Sequence, residues 1–218
     1  MIAVAVAGAA GRMGQAVCAA VEGAADMELT GRADPALGTS LADVLTGADV
    51  VVDFTRPDTA LANALACVKA GVHVVIGTTG FDPEPLRSAG GANVFIAPNF
   101  AIGAVLMMKF AAEAARHMEA SEIIEIHHPA KLDSPSGTAK RTAELMAAAS
   151  GGPEPPIHSL RLPGVVADQE VILGDIAQTL TLRHVTTSRE SFMPGVLLAV
   201  RRVADLTESP TVGLEHLL

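Results

Sequence analysis

The 218-residue chain contains no tryptophan and no tyrosine, and its six phenylalanines keep aromatic residues at 3% of the sequence. Proteins that bind single-stranded nucleic acid stack bases on aromatic side chains, so this composition argues against such a partner. Basic residues are also few, because 15 Lys and Arg stand against 24 Asp and Glu, for a net charge of -9 and a pI near 5.2. We therefore expect no nucleic-acid partner, and any anionic ligand must be bound by local positive groups.

Cysteines and long apolar runs are scarce as well. Cys18 and Cys67 lie in apolar helical patterns without the spacing of a metal site, which predicts buried, reduced thiols and no bound metal. No apolar run reaches the roughly 18 residues that a membrane span needs, and no basic segment precedes the apolar N-terminus. These features predict a cytoplasmic protein without a membrane partner, while a hydrophobic content of 50% predicts a folded globule.

The first motif is a glycine turn between a strand and a helix. Residues 2–7 form an apolar run, glycines follow at positions 8, 11 and 14, and residues 12–22 have helical periodicity. Such a turn lets the backbone bend sharply and approach a pyrophosphate at the helix N-terminus. Asp34 follows a second predicted strand, residues 28–32, at the distance where an acidic residue binds the ribose hydroxyls of an NAD-type cofactor.

Strands and helices then alternate along the N-terminal half of the chain. Residues 49–54 and 72–77 read as buried strands, and residues 57–69 between them read as a helix with proline at its start. This alternation predicts right-handed crossovers and a parallel sheet, whose ligand crevice lies beyond the carboxyl ends of the strands. Three loops should meet at that edge: Phe54–Arg56, Gly77–Gly80 and Ala97–Phe100.

The pattern changes in the C-terminal half. A long apolar helix is predicted for residues 102–118, and three later segments read as strands without helices between them: residues 159–162, 170–173 and 178–186. Such strands should form an antiparallel or mixed sheet that is open on one face, and an open sheet predicts a covering subunit partner. Residues 194–203 and 212–217 are predicted to return to helix.

The densest chemical signal lies between these halves. A predicted strand, residues 121–126, leads into His127 and His128, and a proline-bracketed loop containing Lys131 follows. Ser136 is placed as the N-cap of a helix predicted for residues 138–149, so the amides of Gly137 and Thr138 should favour an anion, with Lys140 nearby. The combination predicts a site that binds an anion and moves a proton, although it names no reaction.

Taken together, these motifs resemble the dihydrodipicolinate reductase family, the 4-hydroxy-tetrahydrodipicolinate reductases of lysine and diaminopimelate biosynthesis. The resemblance extends over the whole chain. It is carried by Arg12-Met13-Gly14 in the glycine turn, Asp53-Phe54-Thr55 with Pro57, Gly77–Gly80, Ala97–Phe100 and, above all, Glu125–Ala139.

The resemblance implies a role for each matching residue. His127 would be the proton donor, Lys131 a second proton donor and carboxylate partner, and His128 a substrate contact. Gly137 and Thr138 would supply the amides that hold a substrate carboxylate. The residues that would line the dinucleotide are Gly8, Ala9, Ala10, Gly11, Arg12, Met13, Asp34, Gly77, Thr78, Thr79, Ala97, Pro98, Asn99 and Phe100.

The resemblance also implies an architecture and a reaction. The expected fold is α/β, with a Rossmann-like parallel-sheet dinucleotide domain at residues 1–98 and 189–218. A smaller α+β mixed-sheet domain at residues 99–188 would bind substrate and form a homotetramer. Hydride from NADH or NADPH would reduce a cyclic imine dicarboxylate, and Asp34, followed by Pro35, leads us to expect that both cofactors work with NADH preferred.

Two other functions fit the same architecture. One is a related NAD(P)-dependent imine or amino-acid dehydrogenase, and the other is a non-catalytic module that senses nicotinamide nucleotides. A sensor has no need for His127, Lys131 and the Ser136–Thr138 helix start together, and a related dehydrogenase would lack this combination. Turnover of the cyclic product of pyruvate and aspartate semialdehyde would separate all three.

Overall fold

A computed structural model describes all 218 residues, which fold as two units. The first unit comprises Met1–Phe100 and Phe192–Leu218, and the second comprises Ala101–Ser191. The strands are β1 Ile2–Ala7, β2 Met27–Ala33, β3 Val50–Asp53, β4 His73–Ile76, β5 Val94–Ile96, β6 Ala120–His127, β7 Ile157–Arg161, β8 Ala167–Asp175, β9 Gln178–Thr186 and β10 Thr211–Val212. The α-helices are α1 Arg12–Glu22, α2 Ala42–Leu45, α3 Pro57–Lys69, α4 Ile102–Ala114, α5 Gly137–Ser150 and α6 Met193–Arg202.

The first unit is built on a six-stranded sheet in the order β10-β5-β4-β3-β1-β2, in which every pair is parallel. Its central strands are apolar on both faces because helices cover both sides, and residues 50–53 are all buried. The predicted α/β fold class is confirmed. Both cysteines are buried and free, as predicted, and burial raises the pKa of the Cys67 thiol to about 12.

The strand order reverses next to β1. The chain passes from β1 to β2 on one side and then returns to place β3 on the other. At such a switch point the two crossovers leave in opposite directions, and a crevice opens beyond the carboxyl ends of the strands. The glycine turn after β1 and the loop after β3 therefore lie at the edge where a ligand binds.

The C-terminal segment departs from the prediction of a helix over residues 212–217. Thr211 and Val212 instead form β10, which pairs in parallel with Phe95 and Ile96 of β5. Gly213 has a positive φ of 109°, which ends the strand, and only a short 3-10 helix follows, Leu214–Leu217. β5 has a free edge, whose backbone groups form hydrogen bonds with this segment. The helical periodicity of the segment contains no information about this distant partner.

The long helix predicted for residues 102–118 is shorter in the structure. α4 ends at Ala114, and the chain turns before Ala120, which already pairs with Gly174 of β8. Residues 115–117 form a turn instead of a last helical turn, and the chain then enters β6. No helix of the protein is long and apolar enough to cross a membrane.

The second unit contains a four-stranded mixed sheet in the order β7-β6-β8-β9. β6 is parallel to β7 and antiparallel to β8, which is antiparallel to β9. α4 and α5 cover one face, where Met107 and Met146 pack on Ile123, Val171 and Leu173. This face forms the core of the unit and fixes the position of both helices.

The opposite face of this sheet, hereafter the outer face, mixes apolar and charged side chains. Leu160 is 43% exposed and Val185 is 48% exposed, while Arg183 forms ion pairs with Asp168 and Glu170 at 3.4 and 3.9 Å. Neither helix of this unit packs here, because strand alternation directs these residues away from the core. The outer face therefore presents β-branched and leucine side chains to its surroundings.

Candidate active site

A cavity of about 720 Å³ opens in the first unit at the carboxyl ends of β1, β2 and β3. Of the residues predicted to line a dinucleotide, Gly8, Gly11 and Asp34 line it. Phe54, Thr55 and Arg56 form another part of its wall. The cavity thus occupies the switch point of the sheet, where the sequence predicts the adenosine end of a dinucleotide.

Glycine is required where the turn after β1 crosses neighbouring backbone. Gly8 has a φ of 78°, and a Cβ added there would lie 2.5 Å from the carbonyl oxygen of Phe54. A Cβ at Gly14 would overlap the carbonyl oxygen of Gly8. α1 begins after Gly11 without a side-chain cap, so its first amides are presented as a phosphate-binding helix start requires.

Asp34 links two turns around the cavity. Its Oδ2 accepts a hydrogen bond from the Ala10 amide at 3.1 Å, and its Oδ1 accepts one from the Ala36 amide at 2.9 Å. A carboxylate has about four lone-pair positions, so both oxygens keep capacity for ribose hydroxyls. Asp34 therefore shapes the glycine turn as well as offering acceptors to a ligand.

Three arginines lie near this cavity, and the sequence leaves open whether one of them, Arg32, faces Asp34 or the opposite side. Arg32 donates to Glu22 of α1 at 2.6 Å, so it is engaged on the helix. Arg12 is exposed in the glycine turn, and Arg56 lines the cavity itself. The position of Arg56 agrees with the prediction that the Phe54–Arg56 loop lies at the ligand edge of the sheet.

A second buried carboxylate ties the loops after β3 and β4 together. Asp53 accepts hydrogen bonds from the Thr55 amide and hydroxyl at 2.9 and 2.6 Å, from Asn63 at 2.7 Å and from Thr78 at 3.3 Å. Four donors compensate for its loss of water. Asp53 thus sets the position of Thr78, one of the residues predicted for the cofactor.

The other predicted cofactor residues lie outside the cavity lining. Ala97 and Phe100 are buried after β5, and the Phe100 ring lies 5.8 Å from that of Phe54, centroid to centroid. The complete set outside the lining is Ala9, Ala10, Arg12, Met13, Gly77, Thr78, Thr79, Ala97, Pro98, Asn99 and Phe100. They follow β1, β4 and β5 at the same edge of the sheet.

The second unit brings a histidine, an arginine and a carboxylate together at the end of β6. Glu125 and His127 alternate onto the same face of the strand, where Glu125 is fully buried. Arg161 of β7 donates to both oxygens of Glu125, at 2.9 and 3.0 Å, and the Nδ1 of His127 bonds the same carboxylate. The Ser136 amide donates to it as well, at 3.2 Å.

Charge and burial act in opposite directions within this cluster. Burial alone would raise the pKa of Glu125, but hydrogen bonds led by that from Arg161 outweigh it and lower the pKa. The pKa of His127 is lowered by burial, with Lys131 and Arg161 adding to the effect and Glu125 opposing it. Free His127 is therefore neutral at neutral pH, with its Nδ1 proton on the carboxylate side, which leaves Nε2 available to a ligand.

The loop between His127 and α5 is organised by charge. Lys131 forms an ion pair with Asp133 at 2.8 Å, and its amide donates to the carbonyl of His128, whose side chain is exposed. The hydrogen bond from Lys131 lowers the pKa of Asp133. Arg161 reaches the same loop by donating to the Asp133 carbonyl at 2.7 Å. Lys131 is therefore held near the cluster by a partner that an incoming carboxylate can replace.

The start of α5 has the predicted cap. Ser136 Oγ accepts a hydrogen bond from the Ala139 amide at 3.2 Å, and the helix then runs for 14 residues. The space around the Cα of Gly137 is open, so a ligand can approach the backbone there. Lys140 is exposed one turn along the helix. Sequence reasoning missed Arg161, because its contacts depend on which strand lies beside β6, and it also missed the local ion pair of Asp133 with Lys131.

Comparison with known families assigns both halves of the chain. The family model described as "Dihydrodipicolinate reductase, N-terminus" matches residues 2–100, and "Dihydrodipicolinate reductase, C-terminus" matches residues 103–218. A 4-hydroxy-tetrahydrodipicolinate reductase of Thermobifida fusca is 49% identical over 247 positions, which cover all of this chain and 99% of the relative. One from Mycolicibacterium smegmatis is 46% identical, with 99% of this chain and 98% of the relative covered.

Solved structures agree with these relatives. A dipicolinate-bound dihydrodipicolinate reductase from Paenisporosarcina sp. TG-14 is similar with a TM-score of 0.88 and 37% identity, over 100% of both chains. A probable dehydrogenase from Thermotoga maritima has a TM-score of 0.68 at 14% identity, over 99% of this chain and 92% of that one. The second likeness concerns the fold alone.

Proposed function

The chain belongs to the dihydrodipicolinate reductase family, and we propose that its first unit binds the dinucleotide while its second binds the substrate and supplies the proton. The reaction is the NAD(P)H-dependent reduction of 4-hydroxy-tetrahydrodipicolinate to tetrahydrodipicolinate. The observation that carries the division of roles is the cluster at the end of β6, where His127 bonded to Glu125, Lys131 and a capped helix start lie within one stretch. A sensor or another dehydrogenase is not favoured.

His127 is the proposed proton donor. The 4-hydroxy substrate loses water to give a conjugated ring, and NAD(P)H, when bound, would supply a hydride to that ring. The electron-rich centre that results would take a proton from Nε2 of His127. The free protein holds His127 neutral, so this nitrogen must gain a proton when substrate binds. A dicarboxylate brings negative charge beside the ring, which raises the pKa of the histidine and favours the uptake.

The two substrate carboxylates have two proposed partners. Lys131 can exchange its ion pair with Asp133 for one with the ligand, since both partners are carboxylates. The amides at Gly137 and Thr138, at the positive end of the α5 dipole, would receive the second carboxylate. His128, exposed beside this loop, is a further proposed substrate contact.

A coupled assay tests the function directly. The cyclic substrate is generated in the cuvette from pyruvate and aspartate semialdehyde, and oxidation of NADH or NADPH is followed by absorbance. We expect turnover that depends on the cyclic compound. Oxidation with acyclic imines alone would support the alternative dehydrogenase, and nucleotide binding without any turnover would support the sensor.

Cofactor preference is a further prediction. We expect NADH to be favoured by kcat/KM, because Asp34 accepts hydrogen bonds from ribose hydroxyls but repels a 2′-phosphate. Asp34→Asn should reduce the ratio of kcat/KM for NADH to kcat/KM for NADPH, mainly because NADH binds less tightly. A tenfold change in this ratio corresponds to about 1.4 kcal/mol. Steady-state kinetics with each cofactor provide the measurement.

Asp82→Asn is the matched control for this experiment. Asp82 also precedes a proline and accepts from the amide two residues on, Glu84, at 3.0 Å, yet it lies outside the cavity. Its replacement should leave the preference unchanged. A clear preference of the wild type for NADPH would show that Arg12 or Arg56 outweighs Asp34.

We also propose a homotetramer that assembles through the outer face of the mixed sheet. Leu160 and Val185 are exposed there, and large exposed apolar side chains on a sheet face are typical of an interface. Light scattering should give about four times the 22.3 kDa mass of the chain. Val185→Asp should lower that mass, whereas Leu65→Asp on α3 should not. A monomeric wild type at micromolar concentration would contradict the proposal.

The cytoplasmic location expected from the sequence is likewise a proposal. Both thiols are free and buried, which suits a reducing compartment although it does not require one. Fractionation of the source cells, with the assay above as readout, would test it. Activity outside the cytoplasmic fraction would contradict the proposal.

A further inference from the structure

One buried carboxylate serves three separate segments of the second unit. Glu125 bonds Nδ1 of His127 on its own strand, both terminal nitrogens of Arg161 on β7, and the Ser136 amide at the N-cap of α5. It is fully buried, so these donors replace its water completely. The geometry therefore joins the proposed proton donor to the proposed carboxylate-binding helix start through a single side chain.

The charge of this carboxylate is set by the arginine. A buried carboxylate without a cation takes up a proton, and a protonated acid would offer a donor where His127 and Ser136 already donate. The paired contacts from Arg161 keep Glu125 ionised and fix the plane of its oxygens. Arg161 therefore allows Glu125 to act only as an acceptor.

An acceptor at this position determines how His127 carries its proton. A neutral imidazole has one donor and one acceptor nitrogen, and the hydrogen bond at one nitrogen decides the chemistry of the other. With Nδ1–H held by Glu125, the lone pair is on Nε2, which can gain a proton and return it to the reduced ring. Without Glu125, part of the neutral population would carry its proton on Nε2, and the imidazolium that donates the proton would lose the acceptor that orients and stabilises it.

We propose that Glu125 is a positioning residue that fixes the tautomer and orientation of His127, with Arg161 as the cation that keeps it ionised. This inference rests on the proposed function and assigns a role to two residues beyond the proton donor and the substrate contacts. Removal of the acceptor should therefore act mainly on the chemical step.

A second set of contacts leads us to expect that replacing Glu125 changes substrate binding less than it changes kcat. Gln169 lies opposite Glu125 on β8, and its Nε2 donates to the Thr142 hydroxyl at 2.7 Å. That hydroxyl donates in turn to the Thr138 carbonyl at 2.8 Å. The first turn of α5 thus keeps a link to the sheet when Glu125 is replaced, so KM should rise only modestly.

Glu125→Gln tests the inference with nearly unchanged shape. The amide group would place donors against Arg161 or Ser136, and we expect kcat to fall roughly 10- to 100-fold with KM changed less than about fivefold. Glu113→Gln is the matched control, because Glu113 lies on α4 of the same unit, away from the outer face, and also pairs with a histidine, His117, at 3.7 Å. Its kcat should stay within about twofold of wild type.

The pH profile separates positioning from a merely structural effect. Proton donation requires protonated His127, so kcat falls as pH rises through its pKa in the substrate complex. Glu125 raises the pKa of His127, and its replacement should therefore move this falling limb to lower pH. A loss of fold stability alone would lower the amount of active enzyme without moving the limb.

A measurement on the wild type keeps the inference testable if Glu125→Gln fails to fold. Nitrogen-15 NMR of labelled histidines reports the tautomer directly, and the signal missing in His127→Gln identifies His127. We expect the Nδ1–H form in the free protein, whether or not the proposed reaction is correct. The inference about Glu125 would be overturned by the Nε2–H form, or by a Glu125→Gln enzyme whose kcat and pH profile match the wild type. A wild-type protein that is inactive in the coupled assay would instead overturn the proposed function.

Discussion

Replacing His127 with glutamine should lower kcat roughly 100-fold or more and should leave the KM for the cyclic substrate within about threefold. Glutamine fills a similar volume and can keep one hydrogen bond to Glu125, so the strand end should retain its shape. It cannot deliver a proton at neutral pH. The loss should therefore appear in the transition state, which kcat reports, rather than in substrate binding.

His117→Gln is the control for this change. His117 also pairs with a glutamate, Glu113, at 3.7 Å in the same unit, but it is exposed and lies away from both the cluster and the outer face. We expect its kinetics to match the wild type. Wild-type kcat in the His127 variant, measured in the coupled assay over a range of pH, would show that another group supplies the proton.

Replacing Lys131 with alanine should reduce kcat/KM roughly 1,000-fold, through both a lower kcat and a higher KM. The ammonium group is proposed to hold a substrate carboxylate and to serve as a second proton donor, so a single truncation removes two effects. It also leaves Asp133 without its ion-pair partner, 2.8 Å away in the free protein. Asp133 would then add negative charge where a dianion must bind.

The matched control is Lys109→Ala, because Lys109 is exposed on α4 of the same unit. It should change neither constant. Dipicolinate is the ligand bound in the related Paenisporosarcina structure, and its affinity for Lys131→Ala, measured by calorimetry, would separate the two roles of Lys131 because binding is measured without turnover. If Lys131→Ala retains both dipicolinate affinity and kcat, the lysine has no part in the site.

The sequence alone predicted those structural features that depend only on residues close together in the chain. The glycine turn could be predicted because only glycine tolerates the φ of Gly8 and the close approach at Gly14. The cap at Ser136 could be predicted because a serine before a helical run accepts a first-turn amide. The parallel sheet followed from strands that alternate with helices.

The remaining features depend on contacts between distant residues. Arg161 reaches Glu125 only because β7 lies parallel to β6 with Ser159 opposite Glu125, a register that neither segment encodes alone. The pairing of Thr211 with Phe95 likewise requires the free edge of β5. Arg32 had two possible directions, and Glu22 on α1 decided between them. In each case the decisive partner lies at least ten positions away.

The double role of Asp34 limits how cofactor preference could evolve. Its carboxylate accepts a hydrogen bond from the Ala10 amide of the glycine turn, so a mutation that removes the negative charge should also loosen the turn that is proposed to bind either dinucleotide. A lineage changing from NADH to NADPH would lose general affinity before it gained phosphate affinity if it began at this position. The shorter adaptive route keeps Asp34 and adds positive charge around the cavity, starting from Arg56, which already lines it.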